Sequence, residues 1–126
     1  MHEEVVHARG HENVTATHAS TFEVTSDDYL TPAGDCILAV VADRTPADFD
    51  EDFVAACQDA DTTITATIEV VRGSNEGGPL TATVHGRGDP DLTFENDRSI
   101  VGRTSEYVDD RTVLVGADGA ARDLPR

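Results

Sequence analysis

Between positions 14 and 25 apolar and polar side chains alternate. Val14, Ala16, Phe22 and Val24 hold even positions, with His18 and Ser20 in phase, while the odd positions are nearly all polar. A period of two marks a strand with one buried face, here long enough for one bend. Residues 36–42 then run Cys-Ile-Leu-Ala-Val-Val-Ala without a polar break. Such a run predicts a central strand buried on both faces. The period changes after Thr45. Thr45 suits an N-cap, Pro46 suits N1 and Asp48 suits N3 of a capping box. Phe49, Phe53, Ala56 and Cys57 follow at helical spacing, with Asp48, Asp50, Glu51 and Asp52 on the wet side near the positive end of the dipole. The spacing predicts a helix over about 46–58.

A hairpin is the next expectation. Ile64, Ala66, Ile68 and Val70 alternate with Thr63, Thr65, Thr67 and Glu69, and Leu80, Ala82 and Val84 alternate with Thr81, Thr83 and His85. Residues 73–78 read as their loop, and 26–28 and 31–34 as turns. Shorter strands are expected at 92–95 and 99–104, with a Val113-Leu114-Val115 segment and a weakly helical stretch in the tail. The sum is one α+β domain over 1–126: mostly antiparallel β-sheet, as a sandwich or partly closed barrel, with one main helix on a face.

Charge changes the picture of the surface. The chain has 25 acids against 9 arginines, no lysine, and a formal net charge of −16. So acidic a surface repels itself in dilute buffer, and molar salt screens it by shortening the Debye length to roughly 3 Å. The apolar complement favours small side chains, with 15 Ala and 14 Val against 4 Ile and 4 Phe. Together these point to a salt-adapted protein, as in a halophile. The periodic apolar segments exclude a disordered acidic chain. The even spread of carboxylates argues against a nucleic-acid mimic. No apolar run approaches the length of a membrane span, and residues 1–10 have no apolar signal core, so a cytoplasmic location is expected and a membrane partner is not. Asn13-Val14-Thr15 is then a chance glycosylation sequon. Cys36 and Cys57 suit a reducing compartment, being too few for a disulfide framework.

Three segments carry a family resemblance. They are residues 10–25, Gly-His-Glu-Asn-Val-Thr-Ala-Thr-His-Ala-Ser-Thr-Phe-Glu-Val-Thr; Gly34-Asp35-Cys36-Ile37 with Ala42-Asp43; and a series from Gly86-Arg87-Gly88-Asp89-Pro90 through Arg103-Thr104-Ser105 and Arg111-Thr112 to 117–121. In this order they resemble the archaeal domain of unknown function 371 family over most of the chain. The chain departs from the family pattern at Gly119, where a lysine is usual, and at Ser20, where threonine is common. The resemblance implies an archaeal cytoplasmic protein and brings no activity with it.

Candidate chemistry lies mainly in those segments. His2, His7, His11 and His18 crowd the N-terminal region, and imidazole is both a proton carrier near neutrality and a common metal ligand. His11, His18 and Glu23 are the candidate acid/base groups. With Asp35 and Cys36 nearby, a mixed metal site of His11, His18, Asp35 and Cys36 is conceivable, although no spacing specifies a metal or cofactor. The plainer role for His18, in phase with Phe22 and Val24, is a core histidine. Cys36 could act as a nucleophile, but Asp35 beside it works against thiolate formation. Cys57, on the helix stripe, reads as packing. His85 is expected to pair with Glu69 across the hairpin. Gly86-Arg87-Gly88-Asp89 reads as a turn rather than an anion loop, since no helix follows.

Arginines kept in so acidic a chain draw notice. Arg103 and Arg111, with Ser105 among the nearby hydroxyls, suit recognition of an anionic substrate; simple Arg–carboxylate pairing is the plainer reading. Two function classes follow. One is a small enzyme or ligand-binding domain acting on an anionic small molecule through His11, His18, Glu23, Arg103, Ser105 and Arg111. The other is a non-enzymatic module docking on RNA or a ribonucleoprotein, which requires a carboxylate-free strip formed by Arg9, Arg87, Arg103 and Arg111. Patterning leaves oligomeric state open.

Overall fold

The computed structural model describes residues 2–30, 34–70 and 80–124. Strands β1 (Thr21–Thr25), β2 (Ile37–Ala39), β5 (Ser99–Arg103) and β6 (Thr112–Leu114) form a four-stranded sheet in the order β2-β1-β5-β6. Strands β3 (Thr63–Val70) and β4 (Leu80–Arg87) form a second, two-stranded sheet. The two sheets and helix α1 (Glu51–Cys57) make an α+β sandwich rather than a closed barrel. β1–β5 and β3–β4 are antiparallel, whereas β1–β2 and β5–β6 are parallel, so the larger sheet is mixed.

The hairpin forms as the alternation predicts, pairing residue for residue from Thr63↔Arg87 to Val70↔Leu80. Ile64, Ala66 and Ile68 turn inward and the threonines outward. The expected loop at 73–78 and most of the turn at 31–34 lie outside the described residues. His85 pairs with Thr65, not with Glu69, and its side chain and backbone instead meet Asp118.

Elsewhere tertiary pairing overrides local pattern. Only Thr21–Thr25 of the alternating segment 14–25 is strand. Ahead of it the chain turns through Ala16 at φ 50°, and His18 sits in a turn outside the core. The apolar run 36–42 yields a three-residue strand at the sheet edge, not a central one. Leu38 and Ala39 face the space between the sheets, and Val40 is pinned by paired backbone hydrogen bonds to Arg9. No strand forms at 92–95. The tail gives β6 and a single 3-10 turn, Ala121–Asp123.

The expected helix over 46–58 is broken in two. Asp48 reaches back to the Thr45 amide at 2.9 Å, closing a 3-10 turn over Pro46–Asp48. Phe49 is then extended, and Asp50 caps α1 by accepting from the Asp52 amide at 2.8 Å. Both aspartates satisfy backbone donors better at a helix start than inside one, so each starts its own turn. The break frees Phe49 to meet Phe53 edge-on, centroids 5.6 Å apart, and both rings pack on Phe94. This aromatic trio, with Leu92 and Cys57, fills one end of the sandwich. The glycines of 86–89 serve packing: a Cβ on Gly86 would fall 2.6 Å from Leu114 Cδ1, and one on Gly88 2.1 Å from the Cys57 carbonyl oxygen.

Candidate functional site

Alternation along β1 sends Phe22 and Val24 into the sandwich and Thr21, Glu23 and Thr25 to the opposite face of the sheet. On that face the antiparallel register sets Arg103 beside Thr21 and Val101 beside Glu23, and Thr112 of β6 beside Val101. The face is polar yet covered: Thr25, Ser99 and Thr112 are almost fully buried, and Glu23 is only 9% exposed.

Hydrogen bonds join one half of this face into a chain. His18 Nδ1 accepts from the backbone N–H groups of Ser20 and Thr21, at 3.2 and 3.1 Å, and lies 3.0 Å from Thr21 Oγ1. Two amide donors aimed at Nδ1 leave the neutral ring with its proton on Nε2. Thr21 also touches the Cys36 thiol, whose sulfur lies 3.5 Å from Glu23 Oε1. Burial, and then the charge of Glu23, push the Cys36 thiol above its usual range. Cys36 therefore acts as a donor to the carboxylate, not as a nucleophile at neutral pH.

The other half is organised by Asp109. β5 returns to its parallel neighbour β6 through a short loop, which Asp109 holds closed. Asp109 Oδ2 accepts from Arg103 and Arg111, each at 3.0 Å, and Oδ1 accepts from the Arg111 amide and the Thr112 hydroxyl, each at 3.0 Å. Arg103 is further fixed by its Nε donating to Thr112 Oγ1 at 2.8 Å and by its guanidinium lying 4.8 Å from the Tyr107 ring centre. Burial works to raise the Asp109 pKa, but the hydrogen bonds from Arg111 and Thr112 and the Arg103 charge outweigh it, leaving the group at about 2. Arg111 is pushed up from its usual range, first by its hydrogen bond to Asp109, against burial, with the Glu23 charge adding to the effect. That last influence links the two halves.

Of the sequence candidates, His18, Glu23, Cys36, Arg103 and Arg111 therefore share one face. His11 does not join them. Its Nδ1 accepts from the Asn13 amide at 3.0 Å in the loop ahead of β1, and no hydrogen bond among the described residues links it to His18 or Glu23. Ser105 is exposed on the β5–β6 loop, its hydroxyl accepting from the Tyr107 amide. Asp35 contributes its carbonyl to the amides of Thr17 and His18, and its charge to the Cys36 thiol. Among the described residues no three His, Cys, Asp or Glu side chains gather as metal ligands, so His11, His18, Asp35 and Cys36 do not form a set. Thr112 stood among the hydroxyls noted beside the arginines, whereas Asp109, Thr21 and Tyr107 escaped the sequence reading. The one available signal was Asp109-Asp110-Arg111-Thr112, an acid placed to turn back on the amide two residues ahead.

Of the four arginines expected in a carboxylate-free strip, three are paired with carboxylates among the described residues. Arg87 pairs with Glu106, and Arg103 and Arg111 share Asp109. Among the described residues no helix is long and apolar enough to cross a membrane.

Comparison with known proteins agrees with the sequence resemblance. The family model described as domain of unknown function 371 matches residues 6–126. An uncharacterised protein of Methanocaldococcus jannaschii is 39% identical over 122 residues, covering 97% of this chain and 84% of its own length.

Proposed function

The chain belongs to the domain of unknown function 371 family, and for this member we propose a binding or catalytic site for an anionic small molecule on the polar face of the four-stranded sheet. Glu23 carries the reading. In a chain that keeps most of its acids wet, this carboxylate is buried, and among the described residues it has no ion pair, only the Cys36 thiol as donor. The cation acting with it, Arg111, does so without direct ion-pair contact, and a buried carboxylate lacking a direct cation partner is costly to keep for structure alone. Arg111, 42% exposed at its side chain, is the cation that meets the anion. Arg103, at 12%, positions Asp109 and through it Arg111. Glu23 serves as the proton acceptor and His18 Nε2–H as a donor.

The surrounding acidity belongs, in this reading, to a salt-rich cytoplasm. Solvent rather than partner then sets the net charge of −16.

Calorimetric titration in molar KCl with phosphate, a phosphate monoester and short mono- and dicarboxylates tests the site. One class should bind saturably and weaken about tenfold in Arg111→Gln, while Arg98→Gln, just ahead of β5 and paired with Asp27, leaves it unchanged. Absence of binding across the panel, or indifference to Arg111, would sink the proposal.

A further inference from the structure

The opposite face of the same sheet borders an apolar cleft. The inward stripe of the β3–β4 hairpin packs on the larger sheet only in part, and a space of about 730 Å³ remains between them. Phe22, Val24, Leu38, Ile64, Ile68 and Ile100 line it. These side chains belong to a sandwich interior, yet Val24, Leu38, Ile64, Ile68 and Ile100 are only partly buried. Interiors normally close to crystal-like density, and a space of this size falls in the range of ligand pockets.

Arg9 stands at the rim of the cleft. Its backbone is fixed beside the cleft by two 2.7 Å hydrogen bonds to Val40. Every other described arginine, Arg44, Arg87, Arg98, Arg103, Arg111 and Arg122, has a carboxylate within ion-pair reach. Among the described residues Arg9 alone has none. Glu4 and Glu69 also line the cleft, but Glu4 is held by Arg44 and the Asp50 amide and Glu69 is exposed, so neither pairs with Arg9 and its charge is free to meet a ligand.

We infer that the cleft binds a single-chain amphiphile, its hydrocarbon tail between the sheets and its carboxylate head on Arg9. This site is separate from the polar face and stands or falls independently of it. The tail supplies affinity by leaving water, at about fourfold per methylene, and the guanidinium selects the charged head.

Fluorescence titration of the full chain in molar KCl with 11-(dansylamino)undecanoate tests this, beside the corresponding uncharged alcohol. Saturable one-to-one binding with a blue shift is expected, displaced by decanoate and about fourfold less well by nonanoate. Arg9→Gln should weaken the carboxylate probe several-fold and leave the alcohol unchanged. Ala66→Trp, which fills the cleft, should abolish both, with circular dichroism and melting temperature showing the fold intact; Ile100→Phe offers a second filling of the same space. No saturable binding overturns the inference, as does binding that ignores Arg9. A ligand-free dimer by sedimentation that fails to take the probe would show a second copy occupying the cleft, and would overturn it too.

Discussion

The Cys36 sulfur lies 3.5 Å from Glu23 Oε1, so a half-buried thiol serves as hydrogen-bond donor to a buried carboxylate. Burial first, and the Glu23 charge second, raise the thiol's pKa. Iodoacetamide should therefore modify Cys36 slowly at pH 8, and Glu23→Gln should speed the reaction by removing the carboxylate's share of the shift. Cys57, pushed up to about 11 by burial, should stay unmodified until the protein unfolds. Peptide mapping after timed alkylation reads both sites. Equal rates at Cys36 in the two proteins would contradict the contact.

Asp109 should govern acid stability. Its folded pKa of about 2 lies below the ordinary 3.8, so the ionised form is favoured by folding. The stabilisation is full above about pH 4 and disappears as pH falls toward 2. Asp109→Asn should cost about 1–2 kcal/mol at pH 7, since Arg103 and Arg111 lose a shared partner at a half-wet site. Denaturant midpoints of the two proteins should converge as pH drops through that window.

The outer end of the Phe22 ring lies against Gly102, where a Cβ would come within 2.3 Å of it. Gly102→Ala must push the ring into the cleft or shift β5. A loss of about 1–3 kcal/mol is expected in chemical denaturation. Phe22→Leu in the same background should recover part of it, because the branched side chain can withdraw.

Val41 holds φ 57°, a left-handed backbone that is costly for a β-branched side chain. Its amide donates to the Asp27 carbonyl at 2.8 Å, which keeps it there. Val41 is exposed, so little packing is at stake. Val41→Asn should raise stability by about 0.5–1 kcal/mol, seen as a higher melting temperature.

If the acid excess is a response to salt, the melting temperature should climb steeply between 0.1 and 2 M KCl, beyond the range in which surface repulsion is already screened in ordinary proteins. A flat response would remove the salt-adaptation reading and leave the two sites untouched.

The strand alternation was legible because it is a property of consecutive residues. Ile64, Ala66 and Ile68 had to share a face wherever the hairpin went, and Thr21, Glu23 and Thr25 had to share the other face of β1 from Phe22 and Val24. The start at Thr45 was legible for the same reason, Asp48 lying within reach of its amide. The break at Phe49 was not. It depended on Asp50 starting its own turn and on Phe94, distant in sequence, receiving the freed ring.

The sequence also marked out the residues of the candidate site without their relations. Glu23 stood out as a polar strand position and a candidate acid/base group, yet between its neighbours β2 and β5 it is only 9% exposed. Arg103 and Arg111 stood out by charge, but Asp109 joins them only because a short parallel connection must be held closed. His11 resembled His18 in the sequence and separates from it in space, each ring nitrogen serving its own local turn. Periodicity determines which way a side chain faces; only the choice of neighbouring strand determines what it meets there, because that choice is made by segments whose contacts no local spacing encodes.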